Sequence, residues 1–167
     1  MILDLKNIFL NENEKLSVKT EINSMDDITS NGVDHAFQKP VFANITVQNH
    51  AGVIDFEADT ELDYHFCCDR CMKVSHRKYA YQFRHILVAA LSEESGDDYI
   101  EAPDYKLDTD ALLRDDILLE LPSKFLCKES CKGLCPKCGK NLNEGGCGCD
   151  THEVDPRLAV LKQLLSD

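Results

Sequence analysis

Residues 41–66, VFANITVQNHAGVIDFEADTELDYHF, carry the clearest pattern of secondary structure in the chain. Residues 41–47 are rich in strand formers, and residues 53–66 alternate apolar with polar side chains, as a half-buried strand does. Between them, residues 49–52 (Asn-His-Ala-Gly) supply the residue types that favour a tight turn. The stretch therefore predicts a β-hairpin.

Two further segments extend this hairpin. A third strand is predicted over residues 79–88, where one face would carry Tyr79, Tyr81, Phe83, His85 and Leu87. Leu16 and Val18 indicate a short strand near the N-terminus, and the rest of residues 1–35 carries no interpretable motif. Together these segments predict an antiparallel meander of at least three strands.

Two helices are expected beside this sheet. The first begins at Asp108 or Thr109 as its cap, has apolar residues at helical spacing and stops at Pro122. The second is terminal, with Asp155 as cap and Pro156 in the first turn. The fold class is therefore α+β: an antiparallel sheet that could curl into a barrel, flanking helices and a C-terminal zinc-ribbon-like module.

The charge is unevenly distributed along the chain. The formal net charge is -12, and residues 93–116 hold ten acids against two bases. Residues 92–98 within that segment are expected to be a solvated loop. Bases dominate on both sides, over residues 70–90 and 124–140, so a nucleic-acid or partner contact is expected there. The candidate contact residues on the first side are Arg70, Lys73, Arg77, Lys78 and Arg84.

The N-terminal residues contain no apolar stretch long enough for a signal peptide or a membrane span. This favours the cytoplasm as the location. In a reducing compartment the nine cysteines are expected to be metal ligands or free thiols, because thiols there are kept from pairing as disulfides.

Six cysteines lie within residues 127–149 and indicate a structural zinc site. They are Cys127, Cys131, Cys135, Cys138, Cys147 and Cys149. The run Cys-Pro-Lys-Cys-Gly at 135–139 has the form of a Cys-x2-Cys knuckle, which brings two thiolates onto one ion while backbone amides point at the sulfurs.

The spacing does not decide which four cysteines bind the ion. Cys135 and Cys138 are the firmest pair, Cys131 comes next, and the other three compete for the remaining place. A second Cys-x2-Cys at Cys68 and Cys71 brings the total to eight, enough for two tetrahedral sites. That pair could also be free thiols or a redox dithiol. We interpret Cys67 as an ordinary thiol.

Other chemistries fit the sequence less well. Cys131-x3-Cys135-x2-Cys138 matches the iron–sulfur spacing of radical enzymes that use S-adenosylmethionine, but only 29 residues follow Cys138, too few for the barrel those enzymes need. His152 could replace a tail cysteine on zinc. The six histidines are scattered and no recognisable catalytic motif occurs, so we expect a non-catalytic protein.

These patterns divide the chain into three units. Residues 1–122 are expected to form the domain with the antiparallel sheet, residues 123–151 the zinc module, and residues 152–167 a helix that packs back on the domain.

The motifs around the cysteines resemble the YceD family of bacterial and plastid proteins. The resemblance rests on Cys-Asp-Arg-Cys at 68–71, Ile-Leu-Leu-Glu-Leu-Pro at 117–122, the cysteine run over residues 126–143 and Asp-Pro-Arg-Leu-Ala at 155–159. It implies a role in accumulation of the large-subunit ribosomal RNA and a ribosomal-protein or pre-ribosome partner. Some members of that family lack the cysteines that correspond to residues 127–149 but keep the Cys-x-Arg-Cys turn, and the resemblance therefore implies a shared importance of Cys68, Arg70 and Cys71.

Three functional hypotheses follow. The leading one is a module that binds ribosomal RNA or a ribosomal protein through its basic residues, with the aromatics at 79–83 either stacking on bases or packing in the core. In the second, the acidic segment 93–116 shields a basic ribosomal protein, without RNA contact. The third, a ribonuclease or redox enzyme, lacks a recognisable site.

Overall fold

The computed structural model describes residues 1–22, 25, 28, 33, 36, 37, 39–91 and 99–150, and these residues are mostly β-structure. The strands are β1 (Ile2–Asp4), β2 (Lys15–Ile22), β3 (Val41–His50), β4 (Val53–Cys67), β5 (Val74–Val88), β6 (Tyr99–Glu101) and β7 (Lys106–Asp108). The helices are α1 (Lys6–Leu10), a short 3-10 helix (Pro103–Tyr105) and α2 (Thr109–Glu120). The main sheet has the order β2-β3-β4-β5-β6 and curls into a half-barrel, and β1 pairs with β7 in a separate ribbon.

The hairpin predicted from residues 41–66 is confirmed as β3 and β4. Its strands pair from Phe42↔Glu61 to His50↔Val53 in antiparallel register. The two turn residues, at positions 51 and 52, have φ values of 52° and 92°, and this left-handed conformation matches the twist of the strands.

The buried Asn49 fixes this turn to the rest of the domain. Its side-chain oxygen accepts a hydrogen bond from the Gly52 N–H at 2.9 Å. Its amide group donates to the Ile8 carbonyl of α1 at 2.8 Å. Both polar ends of the buried side chain are therefore satisfied, and α1 is held against the hairpin.

Strands β4 and β5 form a second and longer hairpin, paired from Ile54↔Leu87 to Cys67↔Val74. The even-numbered side chains of β4 face the core, where Phe56 and Phe66 are fully buried. The odd-numbered side chains face the outer surface of the sheet. The predicted third strand was too short, because β5 begins at residue 74 and continues the ladder to the hairpin tip at residues 68–73.

Helix α2 confirms the predicted cap and the predicted end. The Asp108 carboxylate accepts hydrogen bonds from the backbone N–H groups of residues 110 and 111, and Leu121 caps the C-terminal end just before the proline at position 122. Leu113 and Ile117 are fully buried in the hydrophobic core, so the helix packs on the sheet as expected. A hydrogen bond of 2.8 Å between His85 and Asp116 links the helix to β5.

Two parts of the fold were not predicted. Strand β6 runs parallel to β5, so the sheet is not wholly antiparallel. Residues 1–10, which carried no motif, form β1 and α1, and Leu3, Leu5 and Ile8 are buried in the core. The backbone carbonyl of Met1 accepts hydrogen bonds from the backbone N–H and the hydroxyl of Thr109, which anchors the N-terminus to α2.

The predicted curled sheet is therefore confirmed as a half-barrel that is antiparallel except at β6, and the described residues are mostly β-structure with few helices. Of the two predicted helices, only α2 lies within the described residues. The terminal helix at 152–167 and the acidic loop at 92–98 fall outside them. Among the described residues, no helix is long and apolar enough to cross a membrane.

Candidate metal centres

Four cysteines from two distant parts of the chain meet at the tip of the β4–β5 hairpin. Their sulfurs all lie within 4.8 Å of one another, and we call the group Cys68, Cys71, Cys127 and Cys131 the first cluster. The Cys68 and Cys131 sulfurs are 3.8 Å apart, and those of Cys71 and Cys127 are 3.6 Å apart. A disulfide needs sulfurs at about 2.05 Å, so neither pair is bonded. The arrangement can hold a metal ion.

A knuckle at residues 68–73 presents the first two sulfurs. The Met72 N–H donates to the Cys68 carbonyl at 2.9 Å, and the Cys68 N–H donates to the Lys73 carbonyl at 2.9 Å. Met72 adopts a φ of 58°, which closes the turn. The β4 and β5 ladder ends at the residues that flank this knuckle, so the sheet itself positions the two cysteines.

The segment that supplies the other two sulfurs is bonded directly to the hairpin tip. The Asp69 N–H donates to the Phe125 carbonyl at 2.9 Å, and the Phe125 N–H donates to the Asp69 carboxylate at 2.6 Å. The Arg70 guanidinium donates to the Cys131 carbonyl at 2.8 Å. The Phe125 ring also packs against Tyr64 and Phe66, whose centroids are 4.9 and 5.1 Å away. Backbone and side-chain contacts therefore hold the two halves of the first cluster together.

A further contact places Gly133 against the tip. The Leu134 N–H donates to the Arg70 carbonyl at 2.9 Å, which brings the backbone of residue 133 close to that oxygen. A Cβ at Gly133 would lie 3.0 Å from the Arg70 carbonyl oxygen, and its φ of +76° is one that glycine adopts without strain. Glycine is therefore required here for two reasons, backbone conformation and space.

The second cluster consists of Cys135, Cys138, Cys147 and Cys149, whose sulfurs also lie within 4.8 Å of one another. Its knuckle repeats the geometry of the first. The Gly139 N–H donates to the Cys135 carbonyl at 2.9 Å, and the Cys135 N–H donates to the Lys140 carbonyl at 2.8 Å. Gly139 has a φ of +72°, as its position in the predicted knuckle required.

Burial, amide donors and neighbouring sulfurs together set the pKa values of the cysteines in the first cluster. Burial raises the pKa of Cys68, but N–H groups of Cys127, Arg70 and Cys71 donate to its sulfur and bring the pKa down to about 6. Burial and the neighbouring sulfurs raise the pKa of Cys127 to about 12. The pKa of Cys131 is lowered against the effect of burial, chiefly by the Asn143 amide, which donates to its sulfur at 3.4 Å. Amide donors that favour a thiolate are a common feature around metal-binding cysteines.

The second cluster shows the same division of acidity. Backbone N–H groups of Cys138 and Lys137 lower the pKa of Cys135 to about 6. The pKa of Cys149 is raised to about 12, first by its contacts with the Cys138 and Cys147 sulfurs and then by burial. Each cluster thus contains at least one cysteine whose pKa is lowered and at least one whose pKa is raised.

Comparison with known proteins identifies the family. A family model described as large ribosomal RNA subunit accumulation protein YceD matches residues 56–165, about two thirds of the chain and a range that includes all eight cysteines of the two clusters. The chain belongs to the YceD family. The resemblance drawn from the sequence is therefore confirmed. The family description names the accumulation of an RNA and no chemical reaction.

Curated relatives match over short segments. A protein of Arabidopsis thaliana, "Large ribosomal RNA subunit accumulation protein YCED homolog 1, chloroplastic", is 41% identical over 59 residues, which are 35% of this chain and 18% of that protein. Uncharacterized proteins of Mycobacterium tuberculosis and Mycobacterium bovis are each 41% identical over 64 residues, 37% of this chain and 30% of theirs. The chain therefore spans less than a third of the length of these relatives. No solved structure matches the chain.

In this YceD-family chain, the six cysteines of residues 127–149 that were predicted as metal ligands are divided between the two clusters. Cys127 and Cys131 join the hairpin pair Cys68 and Cys71, and the other four form their own group. The predicted boundary between residues 122 and 123 consequently runs between the two halves of the first cluster, and the division of the chain into three units stays a prediction. Cys67 belongs to neither cluster, and its sulfur contacts the Met72 carbonyl at 3.3 Å.

The predicted basic contact residues do not share one face. Lys78 and Arg84 lie on the outer face of β5, where Arg84 forms an ion pair of 3.2 Å with Glu57. By strand alternation Arg77 lies on the opposite face, and its guanidinium donates to the Leu126 carbonyl at 3.2 Å. Two of the predicted residues, Arg70 and Arg77, thus hold the segment of residues 126–131 against the hairpin. Whether any of the five contacts a partner stays a prediction.

The aromatic row on β5 packs largely on the core. Tyr79, Tyr81 and Phe83 are half-buried, and their rings follow one another at 5.7 and 5.9 Å between centroids. Burial raises the pKa of Tyr81 to about 12, with smaller contributions from Tyr79 and Glu120. This favours the core-packing interpretation over stacking on unpaired bases.

The sequence interpretation missed a group formed by Asp63, His65 and His76 on the outer face of the sheet. Asp63 and His65 are two residues apart on β4, and His65 pairs directly with His76 on the neighbouring strand β5. A hydrogen bond from His76 lowers the pKa of Asp63. Burial of the carboxyl raises this pKa, and the nearby Lys39 lowers it further. The period-two spacing of Asp63 and His65 was visible in the sequence, but the register that adds His76 was not. His35 and His152 lie outside the described residues.

Proposed function

We propose that this chain is a non-catalytic factor in accumulation of the large-subunit ribosomal RNA, acting in the cytoplasm. In this proposal two zinc ions stabilise it and a basic surface around the cysteine clusters binds the RNA. The observation that carries the proposal is the grouping of eight cysteines into two four-sulfur clusters, the first at the hairpin tip and the second within residues 135–149, in a strongly basic part of an acidic chain.

The donor set fits zinc. Four thiolates placed tetrahedrally at about 2.3 Å from zinc lie about 3.8 Å apart. In the first cluster the Cys71–Cys127 and Cys68–Cys131 sulfur separations are 3.6 and 3.8 Å. When bound, each ion supplies a tetrahedral cross-link that neutralises thiolate charge. Four cysteines around one ion leave no open coordination position, which is typical of structural rather than catalytic zinc.

The distribution of charge supports an RNA-binding role for the same region. Residues 68–78 and 122–150, which we call the cysteine pole, contain nine bases and four acids. The rest of the chain contains nine bases and 26 acids. Phosphate contacts depend on local positive charge, and a strongly acidic remainder would orient the cysteine pole toward RNA.

Metal content per chain tests the zinc component. Protein purified without chelator is expected to contain about two zinc ions by elemental analysis. After denaturation with a chelator, all nine cysteines should react with a thiol reagent. About one zinc would leave one cluster as free thiols. Iron with visible absorbance, or no metal, would contradict the proposal and reopen the redox interpretation.

RNA binding is tested by its dependence on salt. Replacing Lys73, Lys128 and Lys132 by glutamine removes three exposed charges from the cysteine pole. The slope of log affinity against log salt concentration for a large-subunit RNA fragment is negative, and it should become less steep by about 2. Each lost phosphate contact removes about 0.7–0.9 from the magnitude of that slope. The matched control replaces Lys6, Lys15 and Lys19, which are exposed elsewhere, and should change the slope little. Equal effects of the two triple variants would refute a specific surface.

One observation favours a second candidate, a carrier of a basic ribosomal protein. The outer face of β4 presents five acids in strict alternation: Asp55, Glu57, Asp59, Glu61 and Asp63. Such a row could contact a basic protein segment without RNA. A pull-down repeated after nuclease treatment separates the two candidates. Ribosomal protein retained after RNA digestion favours the carrier, and its loss favours the RNA-binding factor.

A further inference from the structure

The geometry points to a third metal site, separate from the cysteine clusters, at Asp63, His65 and His76. We propose that these side chains bind one divalent transition-metal ion such as Zn²⁺ on the outer face of the β4–β5 hairpin. The proposal does not depend on the RNA-binding function.

The sheet brings the three side chains together. Asp63 and His65 lie on the same face of β4 because they are two residues apart, and His65 is directly opposite His76 in the strand register. The Asp63 Oδ1 atom is 2.8 Å from His76 Nδ1 and 3.9 Å from His65 Nε2. The two imidazole rings are stacked at 5.1 Å between centroids. One ligand atom from each residue lies within 4.8 Å of the other two.

One side of the site is buried in the protein, and the other side is open to solvent. The Asp63 side chain is only 8% exposed, whereas His65 is 19% and His76 60% exposed. The His65 backbone N–H donates to the Ala36 carbonyl at 2.7 Å, which adds a further constraint on β4 at this position. A nearly buried carboxylate is thus held beneath two imidazoles, and an ion could enter from the solvent side at His76.

The chemistry of the donors selects the class of ion. Two imidazole nitrogens and one carboxylate oxygen suit Zn²⁺, Ni²⁺ or Cu²⁺ better than Mg²⁺ or Ca²⁺, which prefer oxygen ligands alone. Three protein donors leave at least one position for water or for a group of a bound partner. The affinity should therefore be weaker than that of either four-cysteine cluster.

Lys39 is the competitor for this site. Its ammonium lies 3.1 Å from Asp63 Oδ2 and forms an ion pair with the same carboxylate that would bind the metal. The Lys39 side chain is 67% exposed and can move into solvent when an ion enters. Removing its charge should strengthen metal binding, whereas a purely structural hydrogen-bond cluster predicts no such gain.

The test is calorimetric titration of zinc chloride into protein whose cysteine clusters are already loaded, as established by elemental analysis. We expect one additional equivalent to bind. His76→Gln should weaken that binding at least tenfold, Lys39→Met should strengthen it several-fold, and His50→Gln, which changes an exposed histidine at the end of β3, should leave it unchanged. In NMR spectra of the histidine side chains, the imidazole signals of His65 and His76 should both shift as this additional equivalent of zinc binds.

Absence of an additional equivalent would overturn the third site, as would undiminished binding in His76→Gln or an equal loss in His50→Gln. Because His76 is largely exposed, its substitution should leave the fold intact, and the circular dichroism spectrum checks this. The number of zinc ions carried at purification separately tests the cysteine clusters. Failure of one proposal is therefore distinguishable from failure of the other.

Discussion

The two cysteine clusters share a knuckle geometry but differ in where their cysteines come from in the chain. In the first cluster, Cys68 and Cys71 on the hairpin meet Cys131 and Cys127, which are 63 and 56 residues away in the chain. In the second, all four cysteines fall within residues 135–149. Three members of the first cluster are buried, whereas only Cys135 is buried in the second.

The same local geometry can therefore serve two structural purposes. With the proposed metal ion bound, the first cluster would cross-link the sheet to residues 122–134 and stabilise their attachment. The second cluster closes a short local loop and organises only itself. Interactions that join distant segments restrict the unfolded chain more than local ones do. We therefore expect unequal consequences when the two clusters are damaged.

The largest difference is expected between Cys68→Ser and Cys138→Ser. Loss of Cys68 removes a buried ligand of the cross-linking cluster, and we expect the free energy of unfolding to fall by about 4 kcal/mol, on the order of 10 °C in Tm. Loss of the exposed Cys138 should lower the free energy of unfolding of the sheet by less than about 1 kcal/mol. Thermal unfolding followed by circular dichroism measures both.

Both variants should lose one zinc ion per chain. Equal destabilisation of the sheet by the two substitutions would contradict the proposed cross-linking role. Hydrogen exchange sharpens the comparison, because only Cys68→Ser should expose the backbone N–H groups of Asp69 and Phe125, which bond the tip to the tail.

A smaller effect is expected from Gly133→Ala. The added Cβ would approach the Arg70 carbonyl oxygen to 3.0 Å at a φ of +76°, and we expect a loss of about 2–3 kcal/mol from strain and displacement. Gly139→Ala is the matched control in the second knuckle. It has a similar φ of +72° but meets nothing within 4 Å, so it should cost only about 1 kcal/mol. Chemical denaturation of both variants measures the difference, and equal losses would show that space at residue 133 is not limiting.

Arg70→Met probes the hydrogen bond across the first cluster. This substitution keeps an apolar stem but removes the donor to the Cys131 carbonyl, and the expected loss is about 1.5 kcal/mol. Arg77→Met, which removes an exposed bond to the Leu126 carbonyl, should cost less than about 0.5 kcal/mol. A larger loss in Arg77→Met would place the main attachment of the tail outside the cluster.

The smallest expected effect is a gain. Met72 occupies the position that Gly139 occupies in the second knuckle, with a φ of 58°. Met72→Gly should relieve the left-handed strain and stabilise the protein by about 0.5 kcal/mol, since part of the relief is offset by the entropy of glycine. A Tm measured on zinc-loaded protein checks this. A loss of stability would indicate that the exposed Met72 side chain makes a favourable contact that outweighs the backbone strain.

Local patterns predicted much of the fold because they reflect local forces. The alternation over residues 53–66 and the turn at residues 49–52 specify a hairpin without help from the rest of the chain. The cap at Asp108 and the stop before residue 122 bound α2 in the same way. Strand β6 and the β1–β7 ribbon were missed because three-residue strands carry almost no periodic signal, and their pairing depends on segments distant in sequence.

The two Cys-x2-Cys knuckles could be predicted from the sequence alone, because such a turn depends on the backbone of six consecutive residues. Which cysteine pairs share a cluster is fixed by the tertiary structure. That choice depends on how the tail docks on the hairpin tip, through the backbone of residues 69 and 125 and the approach of Gly133 to Arg70. It depends also on strand register, which alone placed His76 beside Asp63 and His65. Spacing fixes local geometry, whereas the meeting of distant segments is fixed by packing.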